Sequence, residues 1–225
     1  MTLRVLTYNV RSLRDSRAAV AAVIRRCAPD VVCVQEAPRF ARWRAARAAL
    51  ARESGLVVAT TDRVGGLCLL TSIRVRVQHP RWARLTRTPG QHQRVLCLAE
   101  LSAGGESYTV GSVHLGGRQA ERLRHVEELF GLIGAPAAPL VLAGDVNEEP
   151  DGPAWRLLTE RLVDAAVAVG SAEPTSTAAA PRRRIDAVFV DPGLEVVACQ
   201  VPELPGLAGA SDHRPVLAVL RRRDQ

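Results

Sequence analysis

The sequence predicts an α/β fold with two packed sheets. Short runs of Val, Leu and Ala bounded by turn residues recur along the chain, and segments with a 3.6-residue apolar period lie between several of them. The strand-like runs also fall into two groups of similar size, which suggests two sheets. At 225 residues and 47% hydrophobic content, one domain spanning residues 1–225 can fill a large core. Aromatics are only 4%, so Val, Leu and Ala must build it.

The net charge is +7, and every basic residue is Arg because the chain contains no Lys. Such a charge suits an anionic partner without choosing among nucleic acid, a phosphorylated metabolite and a lipid head group. Arg-only usage beside so much Ala also fits a nucleotide-composition bias. Cys27, Cys33, Cys68, Cys97 and Cys199 form no CxxC pair, and most sit in apolar runs, as expected of buried free thiols in a reducing compartment. The first strand pattern begins at Leu3, and no apolar run approaches the length of a membrane span. The expectation is a soluble cytoplasmic protein, and no protein partner can be inferred.

Leu3 to Val10 is β-branched enough for a central strand and delivers Asn9 at its end. A helix follows, with Val20, Val23, Ile24 and Cys27 on one face and Asp15 or Ser16 as cap. Val31 to Gln35 is a buried strand ending at Glu36. Residues 39–52 place Phe40, Trp43, Ala46 and Leu50 on one face of a helix whose other side is basic. Three strands, 56–61, 66–71 and 73–78, then read as an antiparallel meander. Residues 79–93 interleave Arg81, Arg84 and Arg87 with Trp82 among prolines, which suits a phosphate-bearing ligand or, equally, an ordinary exposed loop or edge strand.

Two paired strands, 95–101 and 108–114, turn at Ala103-Gly104-Gly105 and deliver His114. A helix opened by Gly116-Gly117 leads to the strand Leu140 to Ala143, which runs into Gly144-Asp145-Val146-Asn147. There Gly permits a sharp exit and two polar side chains share one side. A short helix over 153–159 and a strand over 162–169 come next. The Ser/Thr/Ala/Pro segment 170–181 is the candidate mobile loop. Strands over 185–190, 194–201 and 216–220 complete the chain, the first interrupted by Asp186 and the last preceded by Asp212-His213.

Asn9, Glu36, His114, Asp145, Asn147, Asp186, Asp212 and His213 thus all stand at strand ends, where open α/β and two-sheet folds place their sites. Each alone has a structural explanation as turn former, cap or core histidine; the recurrence is what points to chemistry. Oxygen ligands without Cys favour Mg²⁺, or Mn²⁺, held by a few carboxylates and a substrate phosphate. The histidines and asparagines supply donors for a phosphoryl transition state. No Walker loop and no Gly-x-Ser-x-Gly elbow occurs, which disfavours nucleotide-driven phosphotransfer and acyl-enzyme chemistry.

Six blocks in order carry a resemblance: Thr7-Tyr8-Asn9-Val10, Val34-Gln35-Glu36, Val113-His114, Ala143-Gly144-Asp145-Val146-Asn147, Arg184-Ile185-Asp186-Ala187-Val188-Phe189, and Ser211-Asp212-His213-Arg214-Pro215-Val216. Together they resemble the endonuclease/exonuclease/phosphatase superfamily with its DNase I-like fold. The resemblance implies a four-layer α/β/β/α sandwich of two mixed sheets with the site at one rim. By matching position, Glu36 is the main metal ligand with Asn9 and Asp212 nearby. Asp145 positions or deprotonates the attacking water, and Asn147 and His114 hold the phosphate. Asp186 orients His213, which stabilises or protonates phosphoryl oxygens; whether His213 or Asp145 is the base stays open. Arg94 matches an arginine that clamps phosphate, although a surface Arg on an edge strand reads equally well.

Departures bear on the substrate. Arg11 stands where abasic-site endonucleases of this family have an acidic residue, and Ala37-Pro38-Arg39 follows Glu36 in place of their Thr-Lys. Pro174-Thr175-Ser176-Thr177 lacks an aromatic after Thr. These differences weaken a DNA-repair assignment. The resulting expectation is a Mg²⁺-dependent phosphoesterase, foremost a phosphodiesterase or nuclease acting on nucleic acid. The alternatives are a phosphatase or phosphodiesterase of a small metabolite or lipid head group, and a catalytically silent binding module.

Overall fold

A computed structural model describes residues 2–171 and 173–223. The elements are β1 (Thr2–Asn9), α1 (Arg17–Cys27), β2 (Val31–Gln35), α2 (Trp43–Ser54), β3 (Val57–Thr61), β4 (Cys68–Thr71), β5 (Arg76–Arg84), β6 (Val95–Ala103) and β7 (Glu106–His114). They continue with α3 (Gln119–Ile133), β8 (Leu140–Asp145), α4 (Pro153–Thr159), β9 (Val163–Asp164), α5 (Ala165–Ala168), β10 (Asp186–Val190), β11 (Leu194–Gln200) and β12 (Val216–Arg222). Two six-stranded mixed sheets form, ordered β11-β12-β1-β2-β4-β3 and β5-β6-β7-β8-β10-β9.

Period-2 alternation creates the layers, because successive side chains of a strand face opposite ways. In β2, Val31 and Cys33 enter the core between the sheets while Val32 and Val34 face α1 and α2. In β8, Val141 and Ala143 face inward and Leu140 and Leu142 pack under α3 and α4. Strands buried on both faces read as continuous apolar runs, as these do. The central core, Val and Cys rich, lies between two outer cores, which makes the order α/β/β/α. All five cysteines are buried and free. No helix among the described residues is long and apolar enough to cross a membrane.

Helix starts follow local chemistry. Ser16 caps α1 by accepting from the Ala19 amide at 3.1 Å. Pro153 sits in the first turn of α4, where its missing N–H costs nothing.

Four local expectations need correction. The meander stops at β4, because the turn closed by Val75 N donating to Ser72 O at 3.0 Å sends β5 into the second sheet. β5 itself runs on to Arg84 as an edge strand, taking up Pro80 at a bulge between Gln78 and Arg81. The second helix starts at Trp43 and leaves Phe40 75% exposed, while Arg47 points inward and donates to the carbonyls of Pro38, Asp62 and Leu67. The strand expected over 162–169 is two residues of β9 followed by α5, because the Asp164 carboxylate caps that helix at Ala166 N, 3.0 Å.

The 170–181 segment, expected to be mobile, is tied down where it is described; Ala172 lies outside the described residues. Thr175 N donates to Arg183 O at 2.8 Å, Arg214 N to Thr175 O at 2.7 Å, and Ala178 N to Asp212 O at 2.7 Å. A polar sequence can still be ordered when its backbone groups find partners.

Asp164 also anchors the rear of the second sheet. Its buried carboxylate accepts from Arg184 at 2.8 and 3.1 Å and from Trp155 Nε1 at 3.0 Å, with the Arg184 guanidinium 4.7 Å from the Trp155 ring. Asp164→Ala strands a buried guanidinium and uncaps α5, so urea unfolding is expected to show a loss of about 3–5 kcal/mol. A loss below about 1 kcal/mol would contradict this account.

Candidate active site

Sheet topology assembles the site. Each sheet has a parallel pair at its middle, β1–β2 joined through α1 and β7–β8 joined through α3. A crossover helix returns the chain so that both strands of a pair end on the same side. Asn9, Glu36, His114 and Asp145 are therefore delivered to one rim. Antiparallel partners enter at that rim: Asp186 opens β10 directly opposite Asp145, and His213 lies three residues before β12, which pairs with β1. Gly144 is required at this crossing, since a Cβ there would sit 1.9 Å from the Val113 carbonyl oxygen. Glu36 and Asn147 leave their strands with φ of 50° and 56°, in the left-handed region that redirects the chain.

The side chains meet around one carboxylate oxygen. Asp145 Oδ2 accepts from Asn9 Nδ2 at 3.1 Å, lies 3.3 Å from His114 Nε2 and is 3.9 Å from His213 Nε2. Its other oxygen accepts from the Asn147 amide at 2.9 Å. Asn9 Nδ2 also donates to Glu36 Oε1 at 3.3 Å, and Asn9 Oδ1 accepts from Arg11 N. Across the site His213 Nδ1 donates to Asp186 Oδ2 at 2.8 Å. Asn147 Nδ2 donates to the Leu115 carbonyl, which leaves its second N–H free to reach a ligand. Asp212 is shared with Arg11, whose Nε is 3.3 Å away. Arg94 lines a cleft of about 300 Å³ that opens beside Glu36.

Burial and neighbours set the charges. Desolvation and the nearby Asp186 charge raise the Asp145 carboxyl to about 7, against the pull of His213 and the amides of Asn147 and Asn9. Desolvation would lower His213, but the Asp186 hydrogen bond and charge, helped by Asp145 and Asp212, raise it to about 9. His114 falls well below its ordinary value through desolvation and the Arg94 charge, so it is a neutral imidazole. Burial pushes Arg94 down while Asp145, Glu36 and Glu121 oppose it; a guanidinium stays charged regardless.

Asp145, Asp186 and His213 each place a ligand atom within 4.8 Å of the others, a group that could hold a metal. Glu36 offers a second set of hard oxygens at the cleft, its carboxylate hydrogen-bonded by Asn9.

Some supporting residues carried no legible role in the sequence. Thr175 Oγ1 accepts from both Ile185 N and Asp186 N, and Ser211 Oγ donates to the Asn9 carbonyl at 2.7 Å. Ser112 accepts from Gln35 Nε2 at 3.2 Å beneath the site. Ser211 and Thr175 stood inside quoted stretches, but small hydroxyl residues give no signal of this role before their partners are known.

The family model described as Endonuclease/Exonuclease/phosphatase family matches residues 6–213, and the chain belongs to that family. No curated protein matches the sequence. Among solved structures, an endonuclease/exonuclease/phosphatase from Bacteroides vulgatus is similar at TM-score 0.82 and 20% identity, over 99% of this chain and 100% of that one. The Bacteroides thetaiotaomicron mannosyl-6-phosphatase gives 0.79 and 17%, over 97% and 99%. The human Nocturnin catalytic domain with bound sulfate gives 0.75 and 19%, over 99% and 94%. At these identities the likeness establishes the fold alone.

Asp186→Asn removes the charge that holds the His213 proton. NMR titration of the imidazole is expected to show the His213 pKa falling by more than about one unit. The folded value near 9 lies above the unfolded value of about 6.5, so the His213 contribution to stability is complete below pH 6.5 and is lost as pH rises through 9. The stability gap between wild type and Asp186→Asn should therefore narrow over that window in chemical unfolding; a constant gap would refute the linkage.

Proposed function

We propose that this protein is a Mg²⁺-dependent phosphoesterase, a phosphodiesterase or nuclease acting on nucleic acid. The observation that carries the reading is the convergence of Asn9, His114 and His213 on Asp145, next to a cleft that holds Glu36 and Arg94. Glu36, hydrogen-bonded by Asn9, would hold the cation together with Asn9 and Asp212; Mn²⁺ suits the same oxygens. When bound, the metal supplies positive charge for the phosphoryl oxygens.

The protein's own groups perform the proton transfers. Asp145, with a carboxyl raised to about 7, takes a proton from the attacking water near neutral pH. The water oxygen forms its bond to phosphorus as the bond to the leaving oxygen breaks. His213, kept protonated by Asp186, stabilises the phosphoryl oxygens and protonates the departing one. Neutral His114 and the free N–H of Asn147 donate to nonbridging oxygens, and Arg94 clamps the phosphate. The net charge of +7 and the arginine-lined cleft favour a polyanion over a neutral ester.

The test is turnover of plasmid, single-stranded DNA, RNA and a panel of phosphomonoesters with Mg²⁺ and with EDTA. Hydrolysis of nucleic acid that EDTA abolishes is expected, and Glu36→Ala, Asp145→Ala or His213→Ala should each lower kcat by about 10²–10⁴. Turnover confined to phosphomonoesters overturns the nuclease reading. Undiminished activity in all three variants overturns the site.

A further inference from the structure

The cleft beside Glu36 does not end at Arg94. It shares a wall with a second depression of about 350 Å³ lined by Arg39, Phe40, Arg63, Val64 and His92. Arg39, Phe40 and His92 border both, so a guanidinium, an aromatic ring and an imidazole stand between two basic hollows. Phe40 is 75% exposed and covers no core, with the Arg39 guanidinium 6.0 Å from its ring. The frame around it is tied in place. Arg39 Nη1 donates to the Val64 carbonyl at 3.1 Å, Arg63 Nε to the Arg39 carbonyl at 3.2 Å, and Ala37 N to the Gly66 carbonyl at 2.8 Å.

Several arginines meet carboxylates, as in Arg17–Glu53, Arg122–Glu148, Arg184–Asp164 and Arg221–Glu195; those of the two hollows do not. Among the described residues, Arg14, Arg39, Arg63 and Arg94 form no ion pair, and Glu36 is the single carboxylate lining either hollow. One phosphate needs Arg94 and the catalytic groups; Arg39, on the shared wall, and Arg63, in the second hollow, remain without a carboxylate partner. Sugar hydroxyls would call for several Asp, Asn or Gln side chains, and these hollows provide none beyond Glu36.

From this arrangement we propose that the second hollow is a subsite for single-stranded nucleic acid, in which Phe40 stacks a base flanking the scissile phosphate and Arg39 with Arg63 holds the next phosphate. The proposal rests on the phosphodiesterase reading and deepens it. A base stacks on Phe40 only when it has left its own stack, so a single strand is preferred to a duplex.

The test is fluorescence anisotropy with a labelled single-stranded hexanucleotide, its abasic counterpart carrying the same phosphates, and a duplex, all in EDTA. Wild type should bind the hexanucleotide more tightly than either comparator. Phe40→Ala should weaken the hexanucleotide about tenfold and leave the abasic strand unchanged. Arg63→Gln should weaken both strands alike and lower the slope of log affinity against log salt by about 0.7. Equal affinity for natural and abasic strands, duplex binding as tight as single-strand binding, or an unaltered salt slope in Arg63→Gln would overturn the subsite. Because binding is read without metal or turnover, a failure of hydrolysis sinks the phosphoesterase reading without deciding this one.

Discussion

A buried hydrogen bond of 2.8 Å between His213 and Asp186 joins the two sheets at the rim where the candidate site lies. His213 leads into β12 of the first sheet and Asp186 opens β10 of the second, so the bond spans the sandwich. Asp186 is 1% exposed, and a lone carboxylate at that depth is costly unless paired. Thr175 adds to the clamp by accepting from the Asp186 amide while its carbonyl accepts from Arg214 N. Sheet packing, the course of the 175–185 segment and the charge of His213 all follow from this one meeting.

The two sheets repeat one topology although the sequence shows no short-period repeat. Each has a β-hairpin, a parallel pair linked by a helix, and a second antiparallel pair beyond it, with the first sheet closing through both chain ends. Face-to-face packing then sets the carboxyl ends of both parallel pairs side by side. That is how Asn9 comes to donate to Asp145, 136 residues away, and Gln35 to Ser112, 77 away.

The rim is assembled against local stability. Arg11, Ser12, Leu13, Glu36 and Asn147 all hold positive φ without being Gly, each an unfavourable conformation that the surrounding framework must overcome. Asp145 is buried beside Asp186, so ionising it is resisted. His114 Nδ1 and Asp186 Oδ1 are buried without a protein hydrogen bond. Strained backbone and opposed buried charges at this rim are the features expected of a candidate functional site.

By itself the sequence determined what is set by near neighbours. Short apolar runs bounded by turn residues placed most strands, 3.6 periodicity placed α1, and the polar residues at strand ends marked Asn9, Glu36, His114, Asp145, Asp186 and His213 before any contact was known. Asp186 was legible because a single charge inside an apolar run demands a partner. Tertiary structure alone decided what depends on distant partners: that β5 leaves β4 for the other sheet, that Arg47 turns inward to carbonyls, and that Asp164 pairs with Arg184. It also decided that Phe40, periodic with a helix face, lies outside the helix in an arginine-lined hollow. Strand and helix patterns arise from interactions within a few residues; sheet membership, the burial of a charge and the shape of a cleft arise from surfaces brought together across the whole chain.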